Sequence, residues 1–312
     1  MPRDGSPPLP PGVTPAEPMS IGEIADPPFA ILPDPARVFR ARSERFAALA
    51  RGHELETYLQ FLSRVAAVQD AVQARTSAPA LPADEALATA YAHAMPPISF
   101  GQIELGAAAD EVLIAVVDEL AKGEVNADTE AAVGRVRTAT REARLAMMHA
   151  VLVDEVPAEA VAEHVLAAAA LQVHLALLAR QLDVDKLQRV ADGACPACGG
   201  APVTSMIVGW LGAHGSRFCT CSMCATHWNV SRIKCLVCGS EKGIAYHSLE
   251  GSDGVISGET CESCSSYVKM LHQHKSQHVD PVADDVATLA LDLTLAREGW
   301  QRASVNAFLM GY

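Results

Sequence analysis

The sequence predicts an α+β protein in which an all-α N-terminal domain is followed by two small cysteine-rich modules and a C-terminal helix. Ala and Leu dominate residues 35–190, and apolar side chains recur there at spacings of three and four, as in packed helices. From about Gly193, Gly, Ser, Thr and β-branched residues replace that pattern and predict short strands. All nine cysteines fall in this second region, and eight of them form four C-x-x-C pairs.

The part of the chain before the cysteines divides into an arm and a helical domain. Residues 1–34 are rich in proline and are predicted to form a flexible arm. The helical domain, 35–190, is predicted to begin where Asp34 and Pro35 form an N-cap and first-turn signal. Its last helix is rich in alanine, which indicates burial against neighbouring helices. The predicted helices lie near 35–52, 55–72, 83–94, 107–122, 128–149 and 155–182.

The cysteine pairs form a tandem repeat, since adding 40 to the numbers of the first four cysteines gives those of the second four, a relation called here the repeat offset. Two C-x-x-C pairs about twenty residues apart are typical of one tetrathiolate metal site. We therefore predict two rubredoxin-like or zinc-ribbon modules, 191–230 and 231–275, each with short antiparallel strands. The predicted strands are Val203–Trp210, His227–Ile233, Ile244–Leu249 and Ser266–Leu271. The predicted ligands are Cys195, Cys198, Cys221 and Cys224 in the first module, and Cys235, Cys238, Cys261 and Cys264 in the second.

Several properties of the sites stay open at this level. Pairing within each repeat is the local choice, but an interleaved arrangement of the two repeats is the alternative. Disulfide or thioredoxin-type redox use fits four duplicated pairs less well than metal does. Gly199 and Gly239 permit the positive φ that such a C-x-x-C turn, called here a knuckle, needs. Four thiolates accept zinc or iron, so the spacing does not identify the metal, nor whether the ion is structural or redox-active.

Residues 276–312 are predicted to form a C-terminal helix and tail that pack on the helical domain. Asp280 and Pro281 repeat the helix-start signal, and apolar residues continue on one face to about Trp300. Asp284 and Asp285 are interpreted as first-turn residues that suit the helix dipole, with a partner-binding acidic patch as the alternative.

Other candidate ligands are weaker. Cys219 lies outside the repeat and is interpreted as a bystander thiol rather than a substitute ligand. The remaining candidates are histidines, which we interpret as strand, loop or solvated-segment residues rather than as a third metal site. They are His214, His227 and His247 between the knuckles, and His272, His274 and His278 before the tail.

Composition excludes several classes of function. The formal charge is −13, and residues 191–279 balance six Lys/Arg against six Asp/Glu, so nucleic-acid binding is not expected. No nucleophile–base pair, phosphate loop or paired-carboxylate motif stands out, so we expect no enzyme. The most apolar segment, Val161–Leu178, is interrupted by polar residues, and the N-terminus lacks a signal-peptide pattern. We expect a cytoplasmic protein that does not associate with membranes.

Four runs carry a resemblance to a known family. They are CPACGGAPV from Cys195, CSMCATHW from Cys221, ETCESC from Glu259 and DPVADDVATLALD from Asp280. Together with the looser helical runs ARGH from Ala50, YLQFL from Tyr58 and AALQV from Ala169, they resemble the formate dehydrogenase accessory protein family, FdhE, over about residues 35–312. The proline-rich arm, the extra Cys219 and the His-rich stretch 272–278 depart from that pattern.

The resemblance implies a cytoplasmic accessory factor that binds the catalytic subunit of a respiratory formate dehydrogenase before twin-arginine export. It implies two rubredoxin-like sites in which the eight repeat cysteines bind iron, which favours iron over zinc, and it offers no catalytic residue. Two other functions remain as alternatives: an electron-transfer protein using tetrathiolate iron and, less favoured, a zinc-ribbon nucleic-acid-binding protein. Whether the protein forms a homodimer is open.

Overall fold

Helices build the N-terminal part of the protein in the computed structural model, which describes residues 26–99, 103 and 105–310. The segment predicted near 128–149 is two helices rather than one. Asn126 caps the first by accepting a hydrogen bond from the Thr129 N–H, and Thr140 caps the second by accepting one from the Ala143 N–H. The helices are α1 (Pro35–Ala50), α2 (Glu56–Arg75), α3 (Asp84–Ala92), α4 (Ala107–Leu120), α5 (Ala127–Thr138), α6 (Arg141–Leu152) and α7 (Val161–Ala179).

The α7 helix is the centre of the helical domain. It packs against α1, α2, α4, α5 and α6, and every residue from Glu163 to Ala179 is buried. Its alanines let the surrounding helices approach closely on all sides, as its composition predicts. Within the described residues, Ala158–Ala179 is the segment long and apolar enough to cross a membrane, but 89% of its apolar window is buried inside the protein. Its apolar surface is therefore used by the core.

Acid is expected to destabilise the fold through His174 on α7. Burial lowers the pKa of His174 to about 4, and its Nδ1 has no hydrogen-bond partner among the described residues. Between pH 6.5 and 4, the unfolded chain binds a proton at this imidazole that the folded chain does not bind. The free energy of unfolding therefore falls as the pH is lowered, by up to roughly 3 kcal/mol from this group.

We expect His174→Leu to flatten the decline in the free energy of unfolding between pH 6.5 and 4, measured by urea unfolding at a series of pH values. The matched control is His149→Gln, because His149 is an exposed histidine of the same domain. Parallel pH profiles for the His174 variant and the unaltered protein would contradict the assignment.

The two cysteine-rich modules share one twisted sheet. The strands are β1 (Ala30–Ile31), β2 (Pro202–Ile207), β3 (Arg217–Cys221), β4 (His227–Val230), β5 (Ile244–His247), β6 (Ile256–Cys261), β7 (Ser266–His272) and β8 (Gln301–Arg302). Within the described residues the strand order is β1-β4-β3-β2-β7-β6-β5, with β8 also paired to β7. The β2–β7 and β7–β8 pairs are parallel and the others are antiparallel. The parallel β2–β7 pair therefore joins the first module to the second.

The end of the predicted arm is a strand. Residues 1–25 lie outside the described residues, but Ala30 and Ile31 pair with Trp228 and His227 of β4, and the Asn229 N–H donates to the Phe29 carbonyl at 2.8 Å. The prediction of a flexible arm is therefore wrong for this part of 1–34. The proline-rich composition gave no sign of the strand because its hydrogen-bond partner, β4, lies far along the chain.

The tail forms two short helices, α8 (Ala283–Ala287) and α9 (Leu289–Arg297), in place of one. They meet at Thr288, whose hydroxyl donates to the Asp284 carbonyl at 2.7 Å. α8 packs on α1, and the Tyr58 hydroxyl of α2 donates to the Phe308 carbonyl at 2.6 Å. Asp284 and Asp285 do lie in the first turn, but both are buried and paired with arginines. The alternative interpretation of these two residues as an acidic docking patch is therefore wrong.

Candidate metal centres

In each module, four cysteine sulfurs come together where a knuckle meets the end of a hairpin. In the first, Cys195 Sγ lies 3.6 Å from Cys224 Sγ, and Cys198 Sγ lies 3.4 Å from Cys221 Sγ. All four sulfurs lie within 4.8 Å of one another. The first four-cysteine site therefore contains the four ligands predicted from the first half of the repeat.

The second four-cysteine site repeats this geometry. Cys235 Sγ lies 3.6 Å from Cys264 Sγ, and Cys238 Sγ lies 3.7 Å from Cys261 Sγ. Each sulfur–sulfur contact thus corresponds to a contact of the first site at the repeat offset. The sulfurs group within each repeat, so the structure adopts the local arrangement and not the interleaved one.

Each of the four knuckles turns through a left-handed residue placed directly after its second cysteine. The glycines at two of these positions were expected to adopt positive φ, and they do, with φ of 79° at Gly199 and 73° at Gly239. The other two are Ala225 (φ 59°) and Ser265 (φ 56°). These two knuckles place a side chain where L-residues are disfavoured, which indicates that the turn is held by its surroundings.

The sulfur positions fit a tetrahedral ion. A Zn–S bond of about 2.3 Å implies a sulfur–sulfur edge of roughly 3.8 Å, close to the distances in both sites. The same distances are far beyond the roughly 2.05 Å of a disulfide bond, and all nine cysteines, each within the described residues, are free. Either site therefore has the spacing to hold one metal ion.

Backbone hydrogen bonds and burial also suit the sulfurs to binding a metal ion. The Cys221 sulfur accepts hydrogen bonds from the Met223 and Cys224 N–H groups at 3.4 Å, and the Cys235 sulfur accepts one from Val237 at 3.4 Å. Such bonds stabilise thiolates. Burial raises the pKa of the Cys195 thiol, so four thiolates would not share this volume without a cation to balance them.

Two hydroxyl side chains contact the sulfurs and were not predicted. Cys224 Sγ lies 3.2 Å from Thr226 Oγ1, and Cys264 Sγ lies 2.9 Å from Ser266 Oγ. Thr226 and Ser266 are themselves related by the repeat offset. The repeat therefore contains a signal for them, since a hydroxyl residue lies two positions after the last cysteine of each module.

The other candidate ligands lie apart from both sites. Cys219 is buried on β3, and burial raises its pKa to about 12, as suits a bystander thiol. Among the described residues, the groups of side chains spaced to hold a metal are the two cysteine clusters, and the histidines form no third one. The ring centroids of His272 and His274 lie 5.5 Å apart, and those of His274 and His214 lie 6.3 Å apart.

Two of the histidines between the knuckles form hydrogen bonds away from the sulfurs. His227 Nδ1 lies 2.8 Å from Thr220 Oγ1, and His247 Nε2 lies 3.0 Å from Thr260 Oγ1. Both histidines thus bond to a threonine on the neighbouring strand, which agrees with their interpretation as strand residues.

The helical domain and the two four-cysteine sites define the class of this molecule: a helical protein with tandem tetrathiolate sites suited to metal. The chain belongs to the FdhE family, as its resemblance predicted. The model of the family's N-terminal part matches residues 27–192, that of the central domain matches 194–232, and that of the C-terminal domain matches 233–309.

Similarity to individual proteins supports the same family assignment. The chain is 42% identical over 301 residues to a protein FdhE homolog of Rhizobium meliloti, covering 95% of this chain and 97% of the relative. It is 33% identical to a homolog from Edwardsiella ictaluri over 93% of both chains. The crystal structure of the FdhE protein from Pseudomonas aeruginosa superposes with a TM-score of 0.81 at 32% identity, covering 91% of this chain and 99% of that one. The α+β fold predicted from the sequence is confirmed.

Proposed function

We propose that this protein is a cytoplasmic accessory factor for a respiratory formate dehydrogenase, which it binds through the catalytic subunit before twin-arginine export. The observation that carries the proposal is family membership along nearly the whole chain, including both four-cysteine sites. We further propose that the protein is not itself an enzyme.

The geometry of the sites supports a binding role. The four sulfurs of each site would fill the coordination sphere of a tetrahedral ion, so a bound ion would have no open position for a substrate or an activated water molecule. The eight cysteines would hold two ions, with iron favoured over zinc by the family resemblance. When bound, such an ion supplies rigid cross-linking and, in the case of iron, one-electron chemistry. The cysteines themselves fix the knuckles, which hold the loops of both modules in one shape.

The partner is tested by affinity purification under anaerobic conditions. We expect the tagged protein with both sites loaded to recover the formate dehydrogenase catalytic subunit from an extract that contains it. An unrelated twin-arginine substrate in the same extract is the control and should not be recovered. Repeated failure to recover the catalytic subunit would contradict the proposal.

Electron transfer is a second candidate function because Cys238 of the second site is exposed. A ligand at the surface would let a redox partner approach the ion closely. If the protein works in this way, its iron-loaded form should bleach reversibly with dithionite at a potential near that of its partner. A second site that cannot be reduced would remove this candidate.

A further inference from the structure

The two four-cysteine sites have the same local geometry but different surroundings. All four cysteines of the first site are buried. In the second site Cys235 and Cys261 are buried, whereas Cys238 is exposed and Cys264 is half-buried. The residues that correspond to these last two in the first site are Cys198 and Cys224, each fully buried. The two sites therefore differ in ligand exposure at Cys238 and Cys264.

The first site is part of the main hydrophobic core. Its cysteines pack in the same apolar cluster as α7 and α1. The Gln172 side chain of α7 donates to the Ser222 carbonyl at 2.9 Å, and the Ile98 N–H donates to the Ala197 carbonyl at 2.9 Å. Both knuckles of the first site are therefore tied to the helical domain, and the ligands cannot separate without opening that core.

The Cys235–Cys238 turn of the second site, called here the outer knuckle, is anchored in the main core at Leu236 but has mainly local support around Cys238. The Gly239 N–H donates to the Cys235 carbonyl at 3.1 Å, and the Cys235 N–H donates to the Ser240 carbonyl at 2.9 Å. Residues 237–239 are all exposed. Within the described residues, the two most exposed large apolar side chains are Ile233 (58%) and Val237 (56%), which flank this knuckle.

The strands behind the second site are held independently of any ion. Glu259 of β6 pairs with the fully buried Arg217 of β3 at 2.8 Å. Lys269 of β7 is buried against Asp285 of α8, and Leu295 of α9 packs directly over Gly258 of β6. These contacts keep β6 and β7 in the sheet, so opening of the outer knuckle is a local event.

We propose that the second site is an exchangeable metal site, whereas the first is a permanent part of the core. With an ion bound, Cys238 would be the ligand at which exchange begins: its sulfur would leave the ion and take up a proton from water, and a donor atom of an external thiol or chelator would take its place. The inference rests on the proposed use of both clusters as metal sites, and it adds that only the second can load or release its ion in the folded protein.

The test is release of zinc from the full chain loaded with two zinc ions, followed with the chromogenic chelator 4-(2-pyridylazo)resorcinol. We expect zinc to be released in two phases of one equivalent each. The rate of the second phase should be lower by about tenfold or more, because release from the first site requires the core to open. Hydrogen exchange measured after the first phase should rise only around residues 233–243. One phase that contains both equivalents would overturn the proposal.

Matched variants assign the phases. Cys238→Ser should abolish the fast phase and keep the slow one, whereas Cys198→Ser, its partner at the repeat offset, should remove the slow one. Because Cys198→Ser is expected to unfold, alkylation of the native loaded protein provides the second measurement. Iodoacetamide should label Cys238 before Cys198, and equal labelling, or a fast phase that survives in Cys238→Ser, would overturn the assignment. These experiments contain no formate dehydrogenase, so their failure is separate from failure of the partner proposal.

Discussion

Cys198→Ser is expected to remove most of the folding stability of this protein. The Cys198 side chain is fully buried, and serine is a poor ligand for a soft tetrathiolate site. Binding of an ion in a structural four-ligand site is worth about 10–16 kcal/mol, comparable to or larger than the roughly 5–15 kcal/mol by which a typical domain is stable. We therefore expect the variant to be largely unfolded at 25 °C, measured by circular dichroism and urea unfolding.

The matched control for this variant is Cys219→Ala. Cys219 is equally buried and lies two residues from Cys221, but it is not part of the cluster. Its replacement should cost about 1 kcal/mol through the small cavity that it leaves, with the metal content unchanged. An unchanged unfolding midpoint in Cys198→Ser, or equal losses in the two variants, would contradict a structural role for the first site.

Lys269→Met is expected to give the second large effect, through a buried charge cluster that ties the tail to the sheet. Lys269 is fully buried, and its ammonium group contacts Asp285 Oδ1 at 3.3 Å and also Asp292. Arg302 pairs with the same two carboxylates, at 2.6 and 2.7 Å. Removal of the lysine leaves two buried carboxylates with one cation, which costs about 3–5 kcal/mol in comparable pairs.

Urea unfolding measures this loss, and the control is Lys122→Met. Lys122 pairs with Glu119 at 2.7 Å on the surface, where such a pair contributes little to the free energy of unfolding because water screens the two charges. Adding Asp292→Asn to Lys269→Met should restore part of the stability, since it removes the carboxylate left without its ammonium partner. Equal small losses in the two lysine variants would show that the cluster does not hold the tail.

The metal sites could be predicted from the sequence because their information is local. The repeat offset located all eight cysteines, and Gly199 and Gly239 located two of the four knuckle turns. The predicted strands at 203–210, 227–233, 244–249 and 266–271 overlap β2, β4, β5 and β7. Both β3 and β6 were missed because they carry Thr, Cys and charged residues whose burial depends on the rest of the sheet.

What the sequence could not predict depends on contacts between distant segments. The parallel pairing of β2 with β7 joins the modules into one sheet, but the local pattern of a strand does not specify its neighbour. Asp284 pairs with Arg45 of α1 and Asp285 pairs with Arg302 of β8, and the local pattern around the two aspartates specifies neither partner. The sequence therefore predicts first-turn residues, with an acidic patch as the alternative, but not these buried ion pairs. The different burial of Cys198 and Cys238 was also beyond prediction, since their knuckles share one motif.

The two cysteine clusters are the basis of this account, and metal analysis of the protein purified without oxygen tests them most directly. We expect two transition-metal ions per chain, with a visible absorption spectrum that distinguishes iron from zinc, and eight cysteines that resist alkylation until the ions are removed under denaturing conditions, apart from slow reaction at Cys238. A freshly isolated chain without stoichiometric metal, or with these sulfurs joined in disulfide bonds, would contradict the account.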